Sequence, residues 1–267
     1  MDVFKIIDKW DNILFHGYNF VAAAQYGLKY KQIHSIVGRN KQFKNKHKGE
    51  RCFIVLNGPS LLRNDISVLK NEHVFCANYM YKSDIVDTID PEYYCWMDSL
   101  IFMTPDEGRE TIKEVQQKCP EADLFLNFKA YDVVDRNEHT FFTYNKHMPS
   151  TDGFSYAIDG LSSGYTNVLG YVVGIAIYMG FSEINILGLD FEPAGFSHFE
   201  QDVDGTERQD ARNHETLTHY GSTLKAHSEF IGLSKYAKKH NITIRNLNPD
   251  SYVTAFEFST LDKVINK

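Results

Sequence analysis

Four short apolar runs in this chain each end on groups that can hold a ligand. Asn57-Gly58-Pro59-Ser60 follows "CFIVL", Asn78 follows "VFCA", Asp98-Ser99 follows "YYCWM" and Asp190 follows "INILGL". Amides, hydroxyls and carboxylates in these places are the hydrogen-bonding set for a phosphate, a ribose or a sugar. Gly58 admits a close backbone approach. Any one of the four reads equally as a turn, with Ser60 capping a helix. Four in the same register point to a nucleotide site that lacks the GxGxxG and GxxxxGK[ST] fingerprints. A second set of donors lies in "GLSSGYTNVLGYVVGIAIYMG", where Ser162, Ser163, Gly164, Thr166 and Asn167 lead into a small-residue helix. Free amides at such a helix start suit a phosphate or carboxylate. Gly170, Gly174 and Ala176 equally allow that helix to pack closely on a sheet.

Downstream comes "EPAGFSHFEQDVDGTERQDARNHETLTHYGSTLKAHSEF", rich in His, Asp and Glu. A segment this long and polar predicts a lid or active-site loop over about 192–226. His198, His214, His219 and His227 are its candidate general bases near neutral pH. Asp202-Val203-Asp204 has the DxD spacing of metal-dependent sugar-nucleotide transferases. It lies well inside the loop and away from any strand end, so no metal site is assigned to it. HExxH, GxSxG and Cys/His zinc spacings do not occur.

The elements that must position these groups alternate. Strand-like runs cover 52–57, 73–78, 93–97, 123–127, 184–191 and 242–247, and helical patterns cover about 105–118, 164–180 and 213–240. Continuous apolar strands separated by helices predict an α/β fold, a Rossmann-like, mostly parallel sheet with helices on both faces. Ligands of such sheets bind outside the carboxyl ends of the strands. Residues 1–50 form a separate block: one or two amphipathic helices up to residue 38, then the basic "GRNKQFKNKHKGER", read as a linker or docking strip. The expected division is a helical extension over 1–50 and a catalytic domain over 51–267 that carries the lid.

Composition excludes some functions. A net charge of −7 across 267 residues argues against a nucleic-acid partner, which needs a basic face. Cys52, Cys76, Cys95 and Cys119 form no CxxC pair, and three sit in apolar runs, as expected of reduced, buried thiols. The opening "MDVFKIIDKWDNILF" mixes acids and lysines among its apolar residues, unlike a signal peptide. The longest apolar stretch, 168–181, is too short to span a bilayer. A cytoplasmic location is expected, with the first helices packed on the main domain; peripheral contact with the inner face of the membrane is the alternative. Their apolar face and the 14% aromatic content make a homo-oligomer the expected assembly.

The motifs "NGPSL", "AN" and "GIAIYMGFSEINILGLDF" resemble those of the bacterial lipooligosaccharide sialyltransferases, which use CMP-activated sialic acid. The wider group includes flagellin-glycosylating factors and 6-hydroxymethylpterin diphosphokinases. The resemblance covers roughly residues 51–256. It implies that Asn57, Gly58, Pro59 and Ser60 contact the phosphate and ribose, and that Asn78 binds near the sugar and the cytidine monophosphate. Asp98-Ser99 stands where that family has Asn-Pro-Ser. Ser162, Ser163 and Gly164 resemble its donor-binding Thr-Ser-Gly, with Thr166 and Asn167 as alternatives. Two tyrosines that steady the leaving phosphate there are Glu192 and His198 here. The base histidine follows a His-Tyr pair that His219-Tyr220 resembles, although the base position itself falls near Ser222; His219 and His227 are the nearest candidates.

The resemblance implies a glycosyltransferase of surface-polysaccharide or glycoconjugate synthesis. Its donor would be a CMP-activated nonulosonate and its acceptor a hydroxyl of a glycan or glycolipid, with a histidine base and no required cofactor or metal. One alternative is a Mg-dependent diphosphokinase-like phosphotransferase, in which Asp98, Asp190 and Asp202 or Asp204 hold magnesium for ATP. Another is a nucleotide-binding scaffold without turnover.

Overall fold

The computed structural model describes residues 3–149, 154–190 and 216–266, with side chains from residue 13 onward and, in the last segment, from residue 221. Among the described residues nine strands form one sheet: β1 (Arg51–Val55), β2 (His73–Ala77), β3 (Tyr93–Trp96), β4 (Asp123–Asn127), β5 (Thr140–His147), β6 (Leu161–Ser163), β7 (Glu183–Leu187), β8 (Thr243–Asn246) and β9 (Glu257–Phe258). Their order is β6-β5-β4-β3-β2-β1-β7-β8-β9, and every pairing is parallel. The α/β, Rossmann-like class read from the sequence is the one observed.

Both faces of the sheet are buried, which is why its central strands are continuously apolar. Along β1, Cys52 and Ile54 enter one core and Phe53 and Val55 the other. The first core is covered by α5 (Val168–Met179) and α6 (Thr216–Lys239), the second by α4 (Pro105–Lys118) together with the short α3 (Ile85–Ile89) and α7 (Leu261–Ile265). Helix α5 is apolar all round because it is buried all round. Its start is capped by Asn167 Oδ1, which accepts from Leu169 N. Its end is set by Gly180, whose φ of 90° no side chain favours. All four cysteines are buried as free thiols.

Strand order reverses at β1, which lies between β2 and β7. The crevice outside the carboxyl ends of β1 and β7 is therefore the topological switch point, the place where such sheets bind ligands. The predicted 184–191 strand stops at Leu187 because Gly188 turns the chain at φ 67°.

The N-terminal block comprises α1 (Val3–Leu28) and α2 (Tyr30–Val37), followed by a 3₁₀ helix over Gly38–Phe43. The basic stretch is not a free linker. Its lysines face outward while Phe43 enters the core against Phe125 and Phe141. Buried Asn40 donates from Nδ2 to the carbonyls of Phe142 (2.8 Å) and Ile158 (2.7 Å). No helix among the described residues is long and apolar enough to cross a membrane.

Candidate functional site

At the switch point the ends of β1 and β7 cross almost in contact. Leu56 N donates to Leu187 O (3.0 Å) and Gly58 N to Gly188 O (3.1 Å). A Cβ on Gly58 would run into the Gly188 carbonyl, and one on Gly188 into that of Leu56. Gly58 is thus glycine because β7 approaches it, where the sequence reading had invoked a ligand. Beyond the crossing, Asp190 holds the first strand-end loop. Its carboxylate accepts from Ser60 N (2.7 Å), from the Ser60 hydroxyl and from Asn248 Nδ2 (2.7 Å). Pro59 opens the 3₁₀ turn Pro59–Arg63, and Asn57 and Ser60 are both buried. Two of the four predicted strand ends, 130 residues apart, are therefore one structure.

Asn78 stands beside this structure. Val55 pairs with Cys76, so Asn57 and Asn78 occupy equivalent positions two residues further on. Asn78 adopts a left-handed backbone with φ 49°, uncommon for a residue with a side chain. Its carbonyl accepts from the Tyr94 hydroxyl (2.6 Å), which in turn accepts from Tyr81 N (2.8 Å). Among the described residues the buried side-chain Oδ1 of Asn78 has no hydrogen-bond donor, and buried Trp96 Nε1 at the end of β3 has no acceptor. Such orphaned groups are rare and call for an explanation. Asp98 is exposed and accepts from Leu100 N (2.8 Å), and Lys129 Nζ approaches Ser99 Oγ at 3.4 Å.

Ser162 and Ser163 belong to β6 and not to a loop, and both are buried. Asn145 Nδ2 donates to Ser162 Oγ (2.9 Å), Ser155 N donates to Ser163 Oγ (2.8 Å), and His147 Nδ1 pairs with that same Ser163 oxygen at 3.0 Å. Gly164 N donates to His147 O (2.8 Å). Burial, with a smaller contribution from His16, holds His147 below its ordinary pKa of 6.5, so the imidazole is neutral at pH 7. Thr166 is engaged at both donors: its amide and hydroxyl each lie 2.9 Å from the Glu229 carboxylate. Burial raises the Glu229 pKa, opposed by these two bonds. Asn167 is the helix cap.

His227 Nε2 lies 3.2 Å from the carbonyl of Tyr252, and the Tyr252 amide donates to Asp190 O (3.2 Å). Helix α6 thereby brings His227 to the switch-point cluster. His219 is in the first turns of α6, but its side chain lies outside the described residues, as do Glu192, His198, Asp202, Asp204 and His214. Sequence reasoning missed Asn145, His147, Glu229 and Asn248. Only His147 carried a signal, as a histidine closing the run "TFFTYNKH".

No family model matches the chain, and no curated protein does. Among solved structures it is similar to the sialyltransferase CST-II. A variant in complex with CMP gives a TM-score of 0.48 at 16% identity, covering 79% of this chain and 86% of that one. The Campylobacter jejuni enzyme with the substrate analogue CMP-3FNeuAc gives 0.43 at 18%, covering 79% and 85%. The complex with a trisaccharide acceptor and CMP gives 0.43 at 16%, covering 79% and 86%. At such identity the likeness bears on neither substrate nor mechanism.

Proposed function

We propose that this protein is a glycosyltransferase that moves a CMP-activated 2-keto sugar acid of the nonulosonate class onto an acceptor hydroxyl of a glycan or glycolipid, in surface-polysaccharide or glycoconjugate synthesis. The observation that carries the reading is Asn78, strained at a strand end beside Asn57, with a buried amide oxygen that finds no donor among the described residues. Cytosine's amino group and the ribose hydroxyls are donors of the kind it lacks. The motif resemblance over 51–256 supplies the CMP class.

In the proposed reaction His219 removes the proton from the acceptor hydroxyl, whose oxygen attacks the anomeric carbon. The bond from that carbon to the phosphate oxygen breaks, and its electron pair leaves with CMP. His198 and loop amides steady the departing phosphate. No metal is assigned a part. The magnesium-dependent alternative has little support at the strand ends, because Asp190 is occupied by Ser60 and Asn248 and Asp98 by its own turn.

Calorimetric titration with CMP, UDP, ADP and ATP, each with and without magnesium, tests the reading. CMP binding that needs no magnesium and is lost in Asn57→Ala is expected. Magnesium-dependent ATP binding without CMP affinity would replace it with phosphotransfer. Binding of CMP with no transfer from CMP-sialic acid to any glycan acceptor would leave the scaffold.

The assembly we propose is a homo-oligomer through α1. Ile13, Phe20, Val21 and Leu28 recur at helical spacing and are 52–89% exposed, while Ala22 and the Asn19–Met148 pair face the sheet. Residues 13–28 contain no Lys or Arg, whereas a helix lying on a membrane carries a cationic face. Gel filtration is expected to show an oligomer that falls to the monomer mass in Phe20→Ser/Leu28→Ser; an unchanged mass refutes the interface.

A further inference from the structure

At the opposite end of the central strands, where β1, β2 and β3 begin, His47, Glu50 and His73 converge. Their ligating atoms all lie within 4.8 Å of one another. Glu50 Oε2 is 2.7 Å from His47 Nδ1 and 3.1 Å from His73 Nε2. The other nitrogen of each ring is directed by a single carboxylate. His73 Nδ1 lies 2.5 Å from Glu92 Oε2. His47 Nε2 lies 2.6 Å from the Tyr93 hydroxyl, which donates to Glu92 Oε1 at 2.7 Å.

The proton count follows from these bonds. Tyr93 has one hydroxyl proton, given to Glu92, and its oxygen also accepts from Lys46 Nζ (2.8 Å). His47 must therefore donate from Nε2 into Tyr93, and His73 must donate from Nδ1 into Glu92. The remaining ring nitrogens, His47 Nδ1 and His73 Nε2, both point at the same Glu50 oxygen. A cation at that point, a ring proton or a metal ion in its place, is what lets three such polar atoms converge.

We propose that His47, Glu50 and His73 form a divalent-cation site of the zinc class, which fastens the N-terminal extension to the start of β2. Two imidazoles and a carboxylate are a zinc donor set, with a water completing the tetrahedron. Ligands about 2.0–2.1 Å from a tetrahedral ion stand roughly 3.3 Å apart, so seating an ion would need the two Glu50–histidine spacings of 2.7 and 3.1 Å to open by a few tenths of an ångström or more. Glu92 supplies the outer carboxylate that orients metal-binding histidines, here serving both rings at once. Phe181, stacked on His47 at 4.6 Å, walls the site on one side. His47 and Glu50 lie on the loop that follows Phe43, so the ion would tie that loop to a strand 23 residues beyond Glu50. The site is independent of the proposed transferase activity, being at the amino ends of the strands whose carboxyl ends form the switch point.

The test is calorimetric titration of zinc chloride into chelator-stripped full-length protein. One saturable site is expected, with a rise in melting temperature. Glu50→Gln and His73→Gln should abolish it, and Glu92→Gln should weaken it about 10- to 100-fold. His139→Gln, which removes a histidine paired with Asp123 elsewhere, should leave it unchanged. Glu50 is half exposed, so its substitution spares the core, and matching melting curves in chelator would verify that. Absence of saturable uptake, or equal affinity in parent, Glu50→Gln and His73→Gln, overturns the site.

Discussion

Asp190→Asn is the sharpest probe of the switch point. The carboxylate accepts three hydrogen bonds: Ser60 N on Oδ2, and the Ser60 hydroxyl and Asn248 Nδ2 on Oδ1. An amide cannot accept at both oxygens. If its NH₂ takes the Oδ2 place, it faces the Ser60 amide donor. If it takes the Oδ1 place, it faces Asn248 Nδ2, which cannot simply flip because Asn248 Oδ1 accepts from Asp250 N (3.1 Å). Either way one charge-assisted bond is lost, about 1.5–3 kcal/mol, and one donor is left facing a donor, about 1–3 kcal/mol. Ser60 is buried but Asp190 only partly so, which places each cost in the lower half of its range and the sum near ~3 kcal/mol. For a chain of 267 residues that corresponds to a fall in melting temperature of roughly 5–6 °C. Differential scanning calorimetry reads the shift, and CMP titration of the folded variant reads the loss of loop order as weaker binding. A melting temperature within 2 °C of the parent, with CMP affinity unchanged, refutes the clamp.

Gly188→Ala combines an unfavourable left-handed backbone with a methyl driven into the Leu56 carbonyl, so a loss of about 3 kcal/mol or more is expected from urea unfolding. His219→Ala should lower kcat by about 10²–10⁴ with little change in donor affinity; full turnover at saturating substrates would remove it as the base. His147 has a folded pKa below 6.5, so the folded state binds protons less readily than the unfolded one. Its contribution to stability is present above pH 6.5 and is lost as pH falls through the folded value. His47 shifts in the same direction, so the measurement is a difference. Between pH 8 and pH 5, the parent's urea midpoint should fall further than that of His147→Gln, and equal falls would contradict the shift.

The central strands were legible because burial on both faces leaves them no polar positions, and a run such as "CFIVL" has few other uses. The edge was less legible for the converse reason. In β5 the apolar Phe141 and Phe142 give way to Asn145, Lys146 and His147 where the sheet loses its cover, and β6 is only three residues long. Ser162 and Ser163 therefore read as loop, although both are buried in a strand. The clusters were legible only in part: Asp190 was singled out for its place at a strand end, but nothing local marks Asn248 or Ser60 as its partners. Glu229 carries no local signal, because its role depends on Thr166, 63 residues away. The same limit hid His47 and His73, which become neighbours only when β1 and β2 pair.

The strand-end groups also divide by what they do before any ligand arrives. Ser60, Asp190, Asn248, Thr166 and Glu229 are bonded to one another, so they fix loops and cannot be counted as donors to a nucleotide. The motif resemblance would assign a phosphate or ribose contact to Ser60 and, as an alternative, a donor contact to Thr166. A protein that spends its hydroxyls in this way can still bind a phosphate through main-chain amides held in place by the clamps, a preorganised arrangement that costs no reordering on binding. Asn78 is the contrasting case, since its backbone is strained and its buried amide oxygen finds no donor among the described residues. That combination is unfavourable, and under the proposed function a ligand donor would relieve it. Asn78, more than the hydroxyl-rich motifs around it, is where the choice of base or sugar is expected to be made.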